Sequence, residues 1–167
     1  MSIRFNADEI FEMAEQIERN GAKFYRRAAE GATVPKGRQL LLNLAAMEDE
    51  HEGIFADMRA DMLKQGGMAT VDSVFDPEGQ AGLYLRAMAD GHVFDMRADP
   101  SERLTGKETM GDILQTAIGL EKDSIVFYLG MKEMVPERLG KAKIDDIIKE
   151  EMSHITDLSK ELAALKK

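Results

Sequence analysis

Two stretches of the chain carry one pattern, and every matched pair of positions is separated by 103 residues. Phe11 pairs with Leu114, Glu18 with Glu121, Phe24-Tyr25 with Phe127-Tyr128, Gly37 with Gly140, Glu48 with Glu151 and His51 with His154. Within each copy the two glutamates stand 30 residues apart. A duplicated unit dictates architecture before local propensities do. Two copies of one unit predict an approximate twofold axis with equivalent side chains meeting around it.

The unit is a helical hairpin. Pro35, Pro77, Pro100 and Pro136 leave proline-free windows over 1–34, 36–76, 101–135 and 137–167, and proline is poorly tolerated inside helices. Each window carries apolar residues in steps of three and four, the helical period. The first runs Ile10, Ala14, Ile17, Gly21, Phe24, Ala28, with Asn6 and Glu9 as a capping-box variant and a stop near Gly31. The second runs Leu41, Leu44, Glu48, His51, Phe55, Met58, Met62 and ends at Gly66-Gly67. The third follows Thr105, with Glu108 completing a capping box, through Ile113, Ala117, Leu120, Ser124, Phe127 and Met131. The fourth runs Ile144, Ile147, Glu151, His154, Leu158, Glu161, Leu165.

Strand signals are absent, so the pattern predicts an all-α chain built on a four-helix bundle. Residues 66–106 are too long for a simple turn and read as a crossover. Asp76-Pro77-Glu78 marks the start of a short extra helix over 78–90, and 91–104 read as irregular. The 167 residues make about one domain's worth, taken as a single unit over 1–167.

Composition narrows the chemistry. There is no cysteine, so a thiolate metal site, an iron–sulfur cluster and a cysteine nucleophile are excluded. A net charge of −9 argues against nucleic acid or an anionic membrane as partner, since both need a basic face. The N-terminal residues MSIRFNADEI lack a signal-peptide core and no window is apolar enough to span a bilayer, so a cytoplasmic location is expected.

Two of the three histidines stand in Glu-x-x-His frames, Glu48 to His51 and Glu151 to His154. Residues three apart share a helix face, and here that face is the apolar stripe. Glu18 and Glu121 lie in rows of their own, Phe11-Glu18-Tyr25 and Leu114-Glu121-Tyr128. Folding the hairpins together brings four carboxylates and two imidazoles into one region. The four negative charges match two divalent cations, and without cations such crowding raises carboxylate pKa values. Oxygen and nitrogen ligands without sulfur suit iron or manganese better than copper(I).

The strings IERNGAKFYRRAA and LEKDSIVFY, with LAAMEDEHEGIF and IIKEEMSHI, resemble the rubrerythrin branch of the ferritin-like superfamily. The resemblance covers 6–65 and 107–165. Di-iron and di-manganese bundles of that superfamily use one Glu from each of two helices and a Glu-x-x-His from each of the others. The resemblance implies that Glu18, Glu48, His51, Glu121, Glu151 and His154 bind two iron ions, with manganese or zinc as alternatives, and that Glu48 and Glu151 bridge them. It further implies a non-haem di-iron oxidoreductase or peroxidase reacting with peroxide or dioxygen, in oxidative-stress defence or iron metabolism. Electrons would come from an external donor protein, and the chain would be a homodimer. Rubrerythrins also carry a cysteine-ligated rubredoxin site, which this chain cannot hold. The family's additional glutamate, one turn after the third-helix ligand, is replaced here by Ser124.

Tyr25 and Tyr128 follow their glutamates by seven residues on the same face, which suits a phenol bonded to a ligand carboxylate or a buried packing residue. His92 reads as a surface residue, and the twelve methionines read as gap-fillers in a core without tryptophan. Asp49, Glu50, Glu52, Asp123 and Glu150 flank the candidate ligands but miss the core register, and are expected in solvent. Two further readings of the same residues stay open: iron oxidation and sequestration without peroxidase turnover, and a helical interaction module clamped by a redox-silent metal.

Overall fold

The four helical windows become four long helices in the computed structural model, which describes residues 7–64, 80–89 and 99–165. They are α1 (Ala7–Gly31), α2 (Pro35–Lys64), α4 (Met110–Met134) and α5 (Lys141–Ala164), with the short α3 (Gln80–Ala89) between the hairpins. No strand occurs among the described residues. The helix expected over 78–90 is α3, while Asn6, Gly66-Gly67, Asp76-Pro77-Glu78 and His92 lie outside the described residues. Within 99–104, read as irregular, Pro100–Arg103 form one 3-10 turn capped by the Asp99 side chain.

Local sequence explains the helix ends. Pro35 opens α2, where its fixed φ fits and its missing N–H leaves nothing unpaired. The α4 cap departs from the sequence reading. Thr105 does bond Glu108, from both its backbone N and its Oγ1 at 2.8 Å, but Gly106 at φ +82° turns the chain and no helix starts there. The reciprocal capping box is instead Thr109 with Asp112, one turn later. Gly140 precedes α5 in the left-handed region at φ +98°, a conformation side-chain-bearing residues rarely adopt. Leu165, expected on the α5 stripe, is exposed because the helix ends at Ala164.

Within each half the two long helices pack on each other, α1 on α2 and α4 on α5; α1 also meets α4, and α2 meets α5. The ion pairs Arg59–Asp8, Arg19–Glu52 and Arg26–Asp49 run in opposite order along α1 and α2, so that hairpin is antiparallel. The core is two apolar clusters. One gathers Ile10, Phe11, Ile17, Phe55, Met58, Phe127, Met131 and Ile144; the other Phe24, Leu41, Leu44, Ile113, Leu114 and Leu158. Burying such side chains contributes roughly 1.5–3 kcal/mol each, which offsets the cost of a polar layer lying between the clusters. Among the described residues, no helix is long and apolar enough to cross a membrane.

Candidate metal centre

Each long helix crosses from one apolar cluster to the other at a polar position. α1 supplies Glu18, α2 supplies Glu48 and His51, α4 supplies Glu121, and α5 supplies Glu151 and His154; all six are buried. On α2 and α5 the Glu and His stand three apart and so project together. The duplication places the two sets opposite one another, and the imidazole rings face each other with centroids 5.8 Å apart and planes inclined by 22°.

The six side chains form two overlapping quartets whose nitrogen and oxygen atoms lie within 4.8 Å of one another. One is Glu18, Glu48, His51 and Glu151; the other is Glu48, Glu121, Glu151 and His154. Nδ1 of His51 lies 3.0 Å from Glu151 Oε1 and 3.5 Å from Glu18 Oε2. Nδ1 of His154 lies 2.9 Å from Glu151 Oε2, 3.4 Å from Glu48 Oε1 and 3.5 Å from Glu121 Oε1. Glu48 and Glu151 belong to both quartets, the arrangement a bridging carboxylate requires.

These atoms are close yet poorly aligned for hydrogen bonds. Glu18 Oε2, Glu48 Oε1, both Glu151 oxygens, Nδ1 of His51 and both nitrogens of His154 are buried with no hydrogen-bond partner among the described residues. Buried polar groups are ordinarily paired, and unpaired ones cost about 1–3 kcal/mol each. Such a set of orphaned oxygens and imidazole nitrogens around one point fits divalent cations, which would satisfy all of them except Nε2 of His154, the ring nitrogen that faces away.

The electrostatics agree. Burial pushes Glu48 well above the usual carboxylate range, and the neighbouring Glu18, Glu121 and Glu151 push it further. Burial likewise raises Glu121, to about 8, against the pull of His154. Glu151 is the exception: burial would raise it, but contact with both imidazoles holds it well below its ordinary value. Burial opposes charge on the histidines, yet the adjoining carboxylates prevail, taking His51 to about 11 and His154 to about 9. The layer therefore holds protons wherever it lacks cations, and cations would displace them.

Tyr25 and Tyr128 are both buried, and each bonds a candidate ligand across the twofold axis rather than along its own helix. The Tyr25 hydroxyl donates to Glu121, and the Tyr128 hydroxyl donates to Glu18. Burial and nearby carboxylate charge keep both phenols protonated, so they remain donors. The two bonds tie one hairpin to the other through the glutamates.

Three positions depart from the sequence reading or escaped it. Glu150, expected in solvent, is 52% exposed, but its Oε2 reaches back to Nε2 of His51 at 2.8 Å. Its neighbours in that group behave differently. Asp49 pairs with Arg26 at the surface, Glu52 pairs with Arg19 at 2.7 Å, Glu50 is exposed and Asp123 is half-buried. Gly21 serves Glu48: a Cβ built there would stand 2.8 Å from Glu48 Oε2, so only a bare helix face lets that carboxylate lie where it does. A glycine inside a helix, on its core face, was the available signal. Ser124 occupies the register position equivalent to Gly21, and its hydroxyl bonds its own helix at Leu120 O, 3.1 Å away.

The rubrerythrin family model matches residues 9–81, the α1–α2 hairpin and its continuation. Across the whole fold, the chain is similar to a crystal structure of a Thermotoga maritima protein described as a ferritin-like di-iron-carboxylate protein. The two share 26% sequence identity with a TM-score of 0.65, over 94% of each chain. No curated protein matches the chain in sequence.

Proposed function

Taking as premise that the chain is rubrerythrin-like, with a ferritin-like bundle around a buried carboxylate–histidine layer, we propose that it is a di-iron oxidoreductase acting on peroxide or dioxygen. The observation that carries this reading is the set of orphaned, buried oxygens and nitrogens shared by the two quartets. Glu18, Glu48, His51 and Glu151 would hold one ion, and Glu48, Glu121, Glu151 and His154 the other. Bound iron would supply the electron transfer to the oxidant, with electrons replenished by an external donor.

The chain's own groups supply the rest. Glu48 and Glu151, which belong to both quartets, would hold both ions and balance their charge. Tyr25 and Tyr128 fix the orientation of Glu121 and Glu18 through hydrogen bonds that survive to high pH. The apolar clusters on either side keep bulk water from the layer and strengthen every charge interaction inside it. The bare face at Gly21 lets the Glu48 carboxylate lie against α1. Reducing one peroxide to two waters consumes two electrons and two protons, and the electrons come from the donor.

Loading the purified chain anaerobically with Fe(II) tests this reading. The expected result is two irons per chain and steady consumption of peroxide when a reductant is present. Retention of iron without peroxide turnover would replace this reading with iron oxidation and sequestration. Failure to bind iron, with zinc retained, would leave a structural clamp.

A further inference from the structure

The two halves are not equivalent at the nitrogens that face away from the centre. Nε2 of His51 has an acceptor, the Glu150 carboxylate, at 2.8 Å. Nε2 of His154, equally buried, has none among the described residues. The repeat explains the difference. Shifted by 103 residues, the position that corresponds to Glu150 is Met47, and a thioether cannot play the part of a carboxylate.

An imidazole that binds a cation through Nδ1 must carry its proton on Nε2. A carboxylate accepting that proton fixes the tautomer, locks the ring plane and makes Nδ1 a better donor. Among the two quartets only His51 enjoys this support from a described residue. The ring of His154 is held by packing and by the carboxylates beside Nδ1, with Glu151 at 2.9 Å, while its Nε2 has no acceptor among the described residues.

We propose that Glu150 is a positioning residue for His51, and that Met47 in the equivalent place makes the His154 position the weaker and later-filled of the two cation sites. The proposal rests on the metal-centre reading above and adds an order of filling to it. A pair of unequal sites lets one ion stay while the other exchanges, which two equal sites would not. The magnitude follows from what supporting partners of metal-bound histidines contribute, about 10–100-fold in affinity.

Stepwise titration of the full chain with Co(II), and separately with Zn(II), tests the proposal without reference to turnover. The wild type is expected to fill in two resolved steps separated by about 10–100-fold. Glu150→Ala should weaken the first step by that factor and bring the steps together, whereas Glu150→Gln, which keeps a neutral acceptor, should recover part of the loss. Met47→Glu should strengthen the second step. In the Zn(II)-loaded chain, side-chain nitrogen NMR should show His51 protonated at Nε2 with a slowly exchanging proton, and Glu150→Ala should speed that exchange. Glu150 is half exposed, and an unchanged circular dichroism spectrum would confirm that its variants fold. Two equal, unresolved steps in the wild type, or a Glu150→Ala variant with unaltered steps, would overturn the proposal while leaving the metal centre standing. No uptake of either ion would overturn the metal centre itself.

Discussion

Replacing Gly21 with alanine separates the needs of the helix from those of the metal centre. Alanine stabilises a helix interior over glycine by about 1 kcal/mol, partly by restricting the unfolded chain. At position 21, however, the new methyl would stand 2.8 Å from Glu48 Oε2, where ordinary contact begins near 3.4 Å. The carboxylate must therefore give way by about 0.6 Å, slightly more than the roughly 0.5 Å tolerance of a working ligand constellation. Because Glu48 belongs to both quartets, a cation in either would feel the displacement. A loss of about 10–100-fold in affinity is expected, or about 1.4–2.7 kcal/mol.

The two effects carry opposite signs, which makes the variant informative. Calorimetry without metal should show Gly21→Ala at least as stable as wild type, and calorimetry with saturating Co(II) should show a smaller metal-induced rise in Tm. Gly53→Ala is the control, since a Cβ there meets nothing within 4 Å. It should gain the helix increment, about 2–4 °C in Tm for a chain of this size, with metal binding unchanged. Wild-type Co(II) affinity in Gly21→Ala would refute the reasoning, because the carboxylate would then not depend on the bare helix face.

Three further outcomes follow from the geometry. Tyr128→Phe removes the donor to Glu18 and should destabilise the fold by about 1–3 kcal/mol, measured by urea unfolding, while Tyr84→Phe at the surface should cost less. Thr109→Ala should cost about 1 kcal/mol through loss of the α4 cap, and Thr105→Ala clearly less; the reverse order would restore the earlier helix start. The pH dependence has a definite sign. Glu121, raised by burial from 4.5 to about 8, contributes stability fully present below 4.5 and lost as pH climbs through 8. The contribution of His154 is present below 6.5 and lost as pH climbs through about 9. The metal-free chain should therefore melt at lower temperature as pH rises over this range. The rise in Tm produced by Zn(II) should grow with pH, since the cation displaces those protons. A metal-free melting temperature that rises with pH between about 5 and 9 would contradict this assignment.

Much of the molecule is determined by sequence alone because its determinants are periodic. The stripes that name Ile10, Phe24, Leu41, Phe55, Phe127 and Leu158 as core residues follow the helical repeat, and the repeat requires nothing from the rest of the chain. The six central residues were equally legible. Glu and His placed on an apolar stripe, twice, at one separation, admit few explanations other than a shared polar layer. Local bonding decides where α4 starts. Thr105-Glu108 and Thr109-Asp112 are both capping sequences, and the choice between them rests on the left-handed turn at Gly106.

What only the tertiary structure decided is which groups meet across helices. Sequence spacing relates Tyr25 to Glu18, yet the hydroxyl bonds Glu121 on α4, because the two hairpins approach along α1 and α4. It places Glu150 on the outer side of α5, yet a three-carbon side chain with a carboxylate end is long enough to reach the rim of the layer and the far nitrogen of His51. It marks Gly21 as one more small residue in a stripe, yet the glycine is where the Glu48 carboxylate rests. The physical reason is common to all three. Periodicity fixes the direction in which a side chain leaves its own helix, whereas the partner at its tip depends on the distance and offset of a neighbouring helix, which are set only when all the faces pack together.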